Sequence, residues 1–553
     1  MRRRCVRNCG STAIALSLAM AMLDAEALSQ THASRTDPAQ PPVRDPSLIR
    51  ISVGLAGQTR SGAHWQPCAK GGGPHGAESR AVAHLALLRS LGSLGILDTQ
   101  ERTMTKTSRP INRRLRWRHA LALVAASVIV ATSLPAVAAL PPGNPVQQWN
   151  KIAEDVVVGS GAFQNEGLIY MAYVSAAVYD AVTAIEGRYE PYGSQIAANP
   201  GASVDAAVAE AGYTTLRYYF PAQAASLDAW HDEALAVIPN GPAKEDGKAV
   251  GFAAASEIIR LRSGDGRLTP VGVTSTFTLQ APGPGVWRLT PPAFAVPQTP
   301  WVGSVQPFVL NNPSQFHPEP PPPLKSQRWV AEVNEIREYG SALSGVRTVE
   351  QTAVARFWTA NVIRQYNLLG RELSTSRSLD LLETARLLAM INVVGADAQI
   401  SVMHWKYEFL LWRPVTAIDP LAVIADGFGP VPGFEDGNAG TAEEAGWRPL
   451  IATPNHPEYP AAHGSITSAV AEVLTEFLGS TEISVDIHGF DPSGPTGNLN
   501  ATRHFDTTVQ LREEIVNARL WAGVHYRGSS EAGVRLGEKV AHYDLDHAFR
   551  LAR

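Results

Sequence analysis

Beyond residue 140, apolar positions recur every three or four residues, the spacing of helix faces, in segments separated by Pro and Gly. GLIYMAYVSAAVYDAVTAI (167–185) is apolar around most of its circumference, which predicts a helix buried among others. ASVDAAVAEAGYTTLRYYF (202–220), AASLDAWHDEALAVI (224–238) and GKAVGFAAASEIIRLRS (247–263) follow as helices. Residues 264–325 lose this period, turn Pro- and Gly-rich, and end in the stiff polyproline-like stretch HPEPPPPL. The helical period resumes in SQRWVAEVNEIREYGSAL (326–343) and in TVEQTAVARFWTANVIRQYNLLGREL (348–373). A long apolar run from Ser378 to Trp412 stops at Arg413-Pro414, where proline ends a helix. AHGSITSAVAEVLTEFL (462–478), a Gly/Pro/Asn loop, TTVQLREEIVNARLWAGVHY (507–526) and SSEAGVRLGEKVAHYDLDHAF (529–549) complete the chain. No series of strands is expected. The pattern predicts an all-α fold of two packed helical bundles.

The first hundred residues carry no such pattern. MRRRCVRN followed by GSTAIALSLAMAML resembles a signal sequence, and a second, better signal begins at Met104. Its basic part holds Arg113, Arg114, Arg116 and Arg118, its apolar part runs from Ala120 to Leu134, and Ala136-Val137-Ala138 offers a cleavage site. The apolar part is too short to span a bilayer comfortably. The expected organisation is an extension over 1–103, disordered or wrongly assigned to the protein, and a signal peptide over 104–139. An N-terminal helical half with a Pro/Gly-rich covering loop then occupies 140–323, and a C-terminal oxyanion-binding helical domain 324–553. Translation is expected to start at Met104, and the mature protein, exported to the periplasm or beyond, to begin near Ala139 or Leu140. No stable membrane span is expected in that mature chain. N-terminal sequencing of the exported product tests this; recovery of residues 1–103 would overturn it.

Composition narrows the function classes. A charged fraction of 18% and a net charge of −4 fit neither a nucleic-acid binder nor a membrane-surface protein. Cys5, Cys9 and Cys68 all lie in the first fifth, so the rest has no disulfide framework and no thiol ligand or nucleophile.

Three segments carry candidate chemistry. KYEFLLWRP places Lys406 and Arg413 seven residues apart, which on a helix is two turns and nearly one face. PNHPEYPAAHGSITSA (454–469) places His456 and His463 in a Pro-rich loop that enters a helix, with small Ala461 and Ala462 at the entry. A helix entered this way directs unpaired N–H groups at whatever lies before it. NARLWAGVHYRGSSEAG places Arg519 and His525 six apart, with Gly523 giving local room. Each segment alone also reads as ordinary structure: snorkelling surface cations, a water-satisfied histidine at a helix start, and basic residues at a helix end. Three cations with histidines suit a tetrahedral or trigonal-bipyramidal oxyanion, phosphate or its analogue vanadate, rather than a divalent metal.

K-x6-R-P, P-x-x-H and R-x5-H, in this order, resemble the motifs of the vanadium-dependent haloperoxidases, within the wider type 2 phosphatidic acid phosphatase superfamily. The likeness extends to EQTAVARFW, GADAQIS, GWRPL and HYRGSSEAG, over roughly residues 325–550. The resemblance implies that Lys406, Arg413, Arg519 and the backbone N–H of Ala462 bind vanadate oxygens in the C-terminal bundle. It implies that His525 is the axial ligand to vanadium and His463 the acid–base histidine toward hydrogen peroxide, a role that suits an imidazole. The reactants implied are hydrogen peroxide, a halide and a small organic acceptor. His456 occupies a place that holds an aromatic residue in chloride oxidisers and a histidine in bromide oxidisers, which implies bromide or iodide. Two departures stand out. Pro460-Ala461-Ala462-His463 replaces the family's usual P-S-G-H, removing a hydroxyl and a glycine, and Ser529 stands where phosphatases of the superfamily carry an acid. Water, a backbone carbonyl or Glu531 is then expected to orient His525. Glu458 is expected as an ion-pair partner, Trp405, Trp412 and Phe409 as core, and Asp397 and His404 as structural. An acid phosphatase with His525 as nucleophile, and an exported helical protein that binds an oxyanion without turnover, are the alternatives.

Overall fold

The computed structural model describes residues 139–269, 283–423, 436–490 and 499–552. The three cysteines and nearly all of the expected signal peptide lie outside these residues. The described residues form thirteen α-helices and one two-stranded antiparallel sheet. The N-terminal half holds α1 (Pro145–Gly159), α2 (Gln164–Glu186), α3 (Val204–Tyr219), α4 (Ala224–Ala236) and α5 (Pro242–Leu261). The C-terminal half holds α6 (Gln327–Tyr339), α7 (Val349–Phe357), α8 (Val362–Ser376), α9 (Leu381–Phe409) and the short α10 (Pro414–Ile418). Then come α11 (Ala462–Leu478), β1 (Glu482–Phe490), β2 (Leu499–Thr507), α12 (Thr508–Trp521) and α13 (Arg527–His547).

Local signals explain four of the helix starts. Asn144 with Gln147, Thr348 with Gln351, Asp380 with Glu383 and Thr507 with Gln510 form capping boxes that start α1, α7, α9 and α12. One apolar core runs through both halves, joining Trp149 of α1, Tyr179 of α2, Met390 of α9, Val470 of α11 and Val540 of α13. Helices α2 and α9 are long and apolar enough to cross a membrane. However, 83% and 94% of their most apolar windows are buried inside the protein, as befits core helices.

Three local features differ from the sequence reading. The stretch expected as one helix over 348–373 breaks at Trp358–Ala360, and Asn361 caps α8 through its side chain. The expected loop after α11 contains the hairpin; Ile483, Val485 and Ile487 alternate inward along β1, a period of two inside a helical chain. The run toward Trp412 ends its helix at Phe409, because Leu410 takes a left-handed φ of 49°.

The Pro-rich middle segment is packed against the helices. The buried carboxylate of Asp397 on α9 accepts from the N–H groups of Phe308, Val309 and Leu310 at 2.6, 2.8 and 3.0 Å. Gln298 N–H donates to the Asn455 carbonyl at 2.8 Å, tying the same segment to the histidine loop. Asp397 is therefore structural, as expected.

Candidate active site

Because α9 stops at Phe409, Lys406 and Arg413 do not share a helix face. The chain turns at Leu410, and Arg413 enters as the residue before α10. Both cations then grip the same loop from different directions. Lys406 Nζ donates to the carbonyls of Pro457 and Glu458 at 3.0 and 2.9 Å. Arg413 Nε donates to the His456 carbonyl at 2.9 Å and Nη1 to the Val524 carbonyl at 2.8 Å. Neither is a surface residue: both side chains are fully buried.

That loop delivers His463 to the start of α11. Ala461 sits at the N-cap in extended geometry and has no side chain able to cap, so nothing competes for the first-turn N–H groups of the helix. The entry is held by very close packing on α13. A Cβ on Gly533 would lie 2.3 Å from the Ala461 carbonyl oxygen, and one on Gly537 would lie 2.0 Å from that of Ser465. The spacing of those two glycines places them one turn apart on one face.

Arg519 lies in the last turn of α12, and Nη1 donates to the carbonyl of Trp358, at the break between α7 and α8, at 3.1 Å. Gly523 then takes a φ of 78°, and a Cβ there would meet the Gly340 carbonyl at 2.3 Å. The turn brings His525 back beneath the loop. Its Nδ1 lies 2.9 Å from Glu458 Oε1, which also accepts from the Tyr526 N–H at 3.0 Å. Glu458 is the residue that orients His525. Glu531 is half-buried and lies 4.0 Å from Arg535, and the Ser529 hydroxyl donates to the Glu458 carbonyl at 3.4 Å. With Nδ1–H committed to the carboxylate, the His525 lone pair is on Nε2, 3.3 Å from Arg413 Nη1.

His456 is likewise not a loop residue facing water. It is 6% exposed, and Nδ1 lies 3.0 Å from Arg413 Nη2. Nδ1 also lies 3.2 Å from the Pro457 carbonyl; the closer partner, the guanidinium, is an obligate donor and favours Nδ1 as acceptor with the ring proton on Nε2.

The electrostatics follow from packing like charges in a dry site. Burial, and then the Arg413 guanidinium, hold Lys406 well below its ordinary pKa. Burial lowers Arg413 to about 10 and, with Arg413 adding to it, Arg519 to about 9. Burial and the neighbouring cations push His456, His463 and His525 well below the usual imidazole value, leaving the rings neutral. Glu458 is pushed up to about 7 by burial, although Arg413 and Lys406 oppose the shift. With one carboxylate, Glu458, against three cations, the cluster carries an excess of positive charge, and an anion is what it is built to accept.

Beside this cluster opens a cavity of about 600 Å3, with His456, Ala462, His463 and His525 in its wall. Lys406, Arg413 and Arg519 are not wall residues; Arg413 reaches the cavity through the two histidines it touches. Trp405, Trp412, Phe409 and His404 do not line it, and Trp405 and Trp412 are buried in the core. Three buried atoms of the cluster, Arg519 Nε, His463 Nε2 and Glu458 Oε2, have no hydrogen-bond partner among the described residues. Unpaired donors, neutral imidazoles and an uncapped helix start together fit vanadate or phosphate.

Residues 386–553 match the family model of the VCPO second helical-bundle domain. The vanadium chloroperoxidase of Curvularia inaequalis is 23% identical over 288 residues, which is 42% of this chain. The match spans 46% of that relative, about half its length. Among solved structures, the first bacterial vanadium-dependent iodoperoxidase is similar with a TM-score of 0.60 and 24% identity, covering 75% of this chain and all of that one. An apo-type bacterial vanadium-dependent chloroperoxidase is similar with a TM-score of 0.53 and 18% identity, covering 69% and 94% of the two chains. The chain thus matches the VCPO second helical-bundle domain over residues 386–553 and shares the fold of these solved vanadium-dependent haloperoxidases.

Proposed function

We propose that the protein is a vanadate-dependent haloperoxidase that uses hydrogen peroxide to oxidise bromide or iodide to hypohalous acid. The observation that carries this reading is the buried cluster of Lys406, Arg413 and Arg519 around neutral histidines at an uncapped helix start. Lys406, Arg413, Arg519 and the Ala462 N–H would hold the oxygens of vanadate, and His525 would approach through Nε2. Bound vanadate supplies Lewis acidity toward peroxide without changing oxidation state. His463, neutral and with its Nε2 unpaired, takes a proton from incoming peroxide and later returns it. Glu458 keeps the Nε2 lone pair of His525 directed away from itself. The three cations, His456 and His525 are buried, which strengthens each charge interaction among them. His456, donating from Nε2 at the cavity wall, is the halide-site candidate and carries the choice of bromide or iodide over chloride.

One observation favours a second reading. Ser529 stands where phosphatases of the superfamily carry an acid, yet Glu458 supplies a carboxylate to His525 Nδ1. An acid phosphatase, with His525 attacking phosphorus and His463 protonating the leaving oxygen, therefore stands as the alternative. Ala461, lacking the hydroxyl, is the feature that favours the third reading, an exported oxyanion binder without turnover. Bromination with peroxide, with and without orthovanadate, assayed beside aryl-phosphate hydrolysis, separates the three. Vanadate-dependent bromination abolished in His525→Ala supports the peroxidase. Phosphate release inhibited by vanadate makes the protein a phosphatase, and neither activity leaves the binder.

A further inference from the structure

A hypohalous acid is an electrophile that attacks sulfur, indole and phenol side chains, and an enzyme releasing one is the first protein it meets. From Leu140 onward this chain has no cysteine, and Met171, Met390 and Met403 are each 0% exposed. Every tryptophan from Trp149 onward falls among the described residues; Trp230 and Trp521 are half-buried and the others buried. The thioether and indole targets of the folded chain are therefore shielded.

The phenols are shielded with one exception. All 14 tyrosines of the chain fall among the described residues. Tyr218, in the last turn of α3, is 57% exposed, and every other tyrosine is buried or half-buried. Its ring stands edge-on to that of Tyr219, with centroids 4.9 Å apart at 88°, a contact that orients the ring without covering it. Burial pushes the hydroxyls of the neighbouring Tyr170, Tyr173 and Tyr219 above the ordinary tyrosine value, which disfavours the electron-rich phenolate in them. The exposed rings of Phe163 and Phe252 carry no activating oxygen. Among the exposed imidazoles, His504 is held between Asp486 at 2.7 Å and Asp506 at 3.3 Å, and these carboxylates favour its protonated form, which resists electrophiles.

We propose that Tyr218 is the site at which the chain is halogenated by its own product. The origin of the oxidant rests on the peroxidase reading, while the exposure that selects Tyr218 does not. With iodide as the halide, a ring carbon beside the phenol oxygen supplies the electron pair of a new C–I bond. The I–O bond of hypoiodous acid breaks with its pair going to oxygen, and the displaced ring proton joins that oxygen to leave water. Tyr218 belongs neither to the cation–histidine cluster nor to the cavity wall, so the substitution marks the surface and is not a step of turnover.

The test has two arms, both on the full chain and both read by peptide mass spectrometry after a thiosulfate quench. In the first, the vanadate-loaded chain receives iodide and hydrogen peroxide. In the second, the vanadium-free chain receives a substoichiometric dose of iodine in buffer, a source of hypoiodous acid. Both arms should place iodine on Tyr218 at least about tenfold ahead of any other tyrosine or histidine, since the other phenols are reached only through local opening. Tyr218→Phe should lose this label and keep the wild-type thermal midpoint and rate of triiodide formation. Iodine spread evenly in the second arm, or placed first on another residue such as His542 or His547, overturns the proposal. Label on Tyr218 in the second arm but not in the first, although triiodide forms there, overturns halogenation by the chain's own product. Absence of triiodide in the first arm refutes the peroxidase reading instead, and the second arm still decides whether Tyr218 is the exposed target.

Discussion

Replacing Glu458 separates two duties of one buried carboxylate. Its Oε1 accepts from His525 Nδ1 at 2.9 Å and from the Tyr526 N–H at 3.0 Å, and its charge faces Arg413 and Lys406. In Glu458→Ala both donors lose their acceptor in a fully buried place. At ~1–3 kcal/mol for each stranded donor, the stability loss should centre near ~4 kcal/mol. That agrees with the roughly 3–5 kcal/mol typical of removing one member of a buried ion pair. Glu458→Gln keeps an acceptor oxygen for one or both donors and loses only the charge, so its loss should be about half as large. Orthovanadate affinity should move the other way in the Gln variant. The cations then lack their internal counter-charge, and an incoming oxyanion no longer meets a repelling carboxylate. Urea unfolding at pH 8 gives the first quantity and calorimetric titration with orthovanadate the second. Equal instability of the Gln and Ala variants would show that hydrogen bonding to His525 is not a duty of Glu458. Unchanged vanadate affinity in the Gln variant would show that its charge is not felt at the site.

Other perturbations follow from the same packing. Ala461→Ser places a hydroxyl at the helix entry that can donate to a bound oxyanion, and should tighten orthovanadate binding about tenfold in calorimetry; an unchanged dissociation constant would show that no hydroxyl is missed. Gly537→Ala drives a methyl to 2.0 Å from the Ser465 carbonyl, so α11 and α13 must separate. A thermal-unfolding loss above ~3 kcal/mol is expected, together with loss of oxyanion binding, and a native-like variant would contradict the close approach. Asp544 is 0% exposed with both carboxyl oxygens unpaired among the described residues, and burial raises it well above its ordinary value. The folded chain thus keeps a proton on Asp544 that the unfolded chain releases above about pH 4, and the contribution of this group to stability falls as pH rises from there, by about 1.4 kcal/mol per unit up to the folded value. Asp544→Leu should therefore be more stable than wild type at pH 7, with an advantage that shrinks toward pH 4; a pH-independent difference in urea midpoints would refute this.

Much of the site was legible because its chemistry rests on residue types that are costly to bury. Lys406, Arg413 and Arg519 in an apolar chain needed an anion, and the order of three motifs supplied the family resemblance. The helical period likewise exposed the core, since α2 and α9 are apolar all round. What escaped depends on the path of the backbone between motifs. The seven-residue spacing of Lys406 and Arg413 imitates two helical turns, and no glycine marks the left-handed turn at Leu410 that breaks it. The gap at 358–361 lies inside a run with helical spacing, and it matters because it frees the Trp358 carbonyl for Arg519. The hairpin had a local sign, the alternation in ISVDI, outweighed by the helices around it. Glu458 is the ion-pair partner expected of it, and its orienting role toward His525 is the instructive miss. Its partner lies 67 residues away, and its one signal was a lone acid between two prolines of the histidine loop.

Stoichiometric loading tests the central claim most directly. The full chain is dialysed against orthovanadate, its vanadium content per chain is measured, and peroxide-dependent triiodide formation from iodide is followed at each degree of loading. One vanadium per chain is predicted, with activity rising in proportion to the loaded fraction and both lost in Arg413→Ala and Arg519→Ala. Vanadate bound without triiodide formation, or triiodide formed equally well by the vanadium-free chain, would contradict the account.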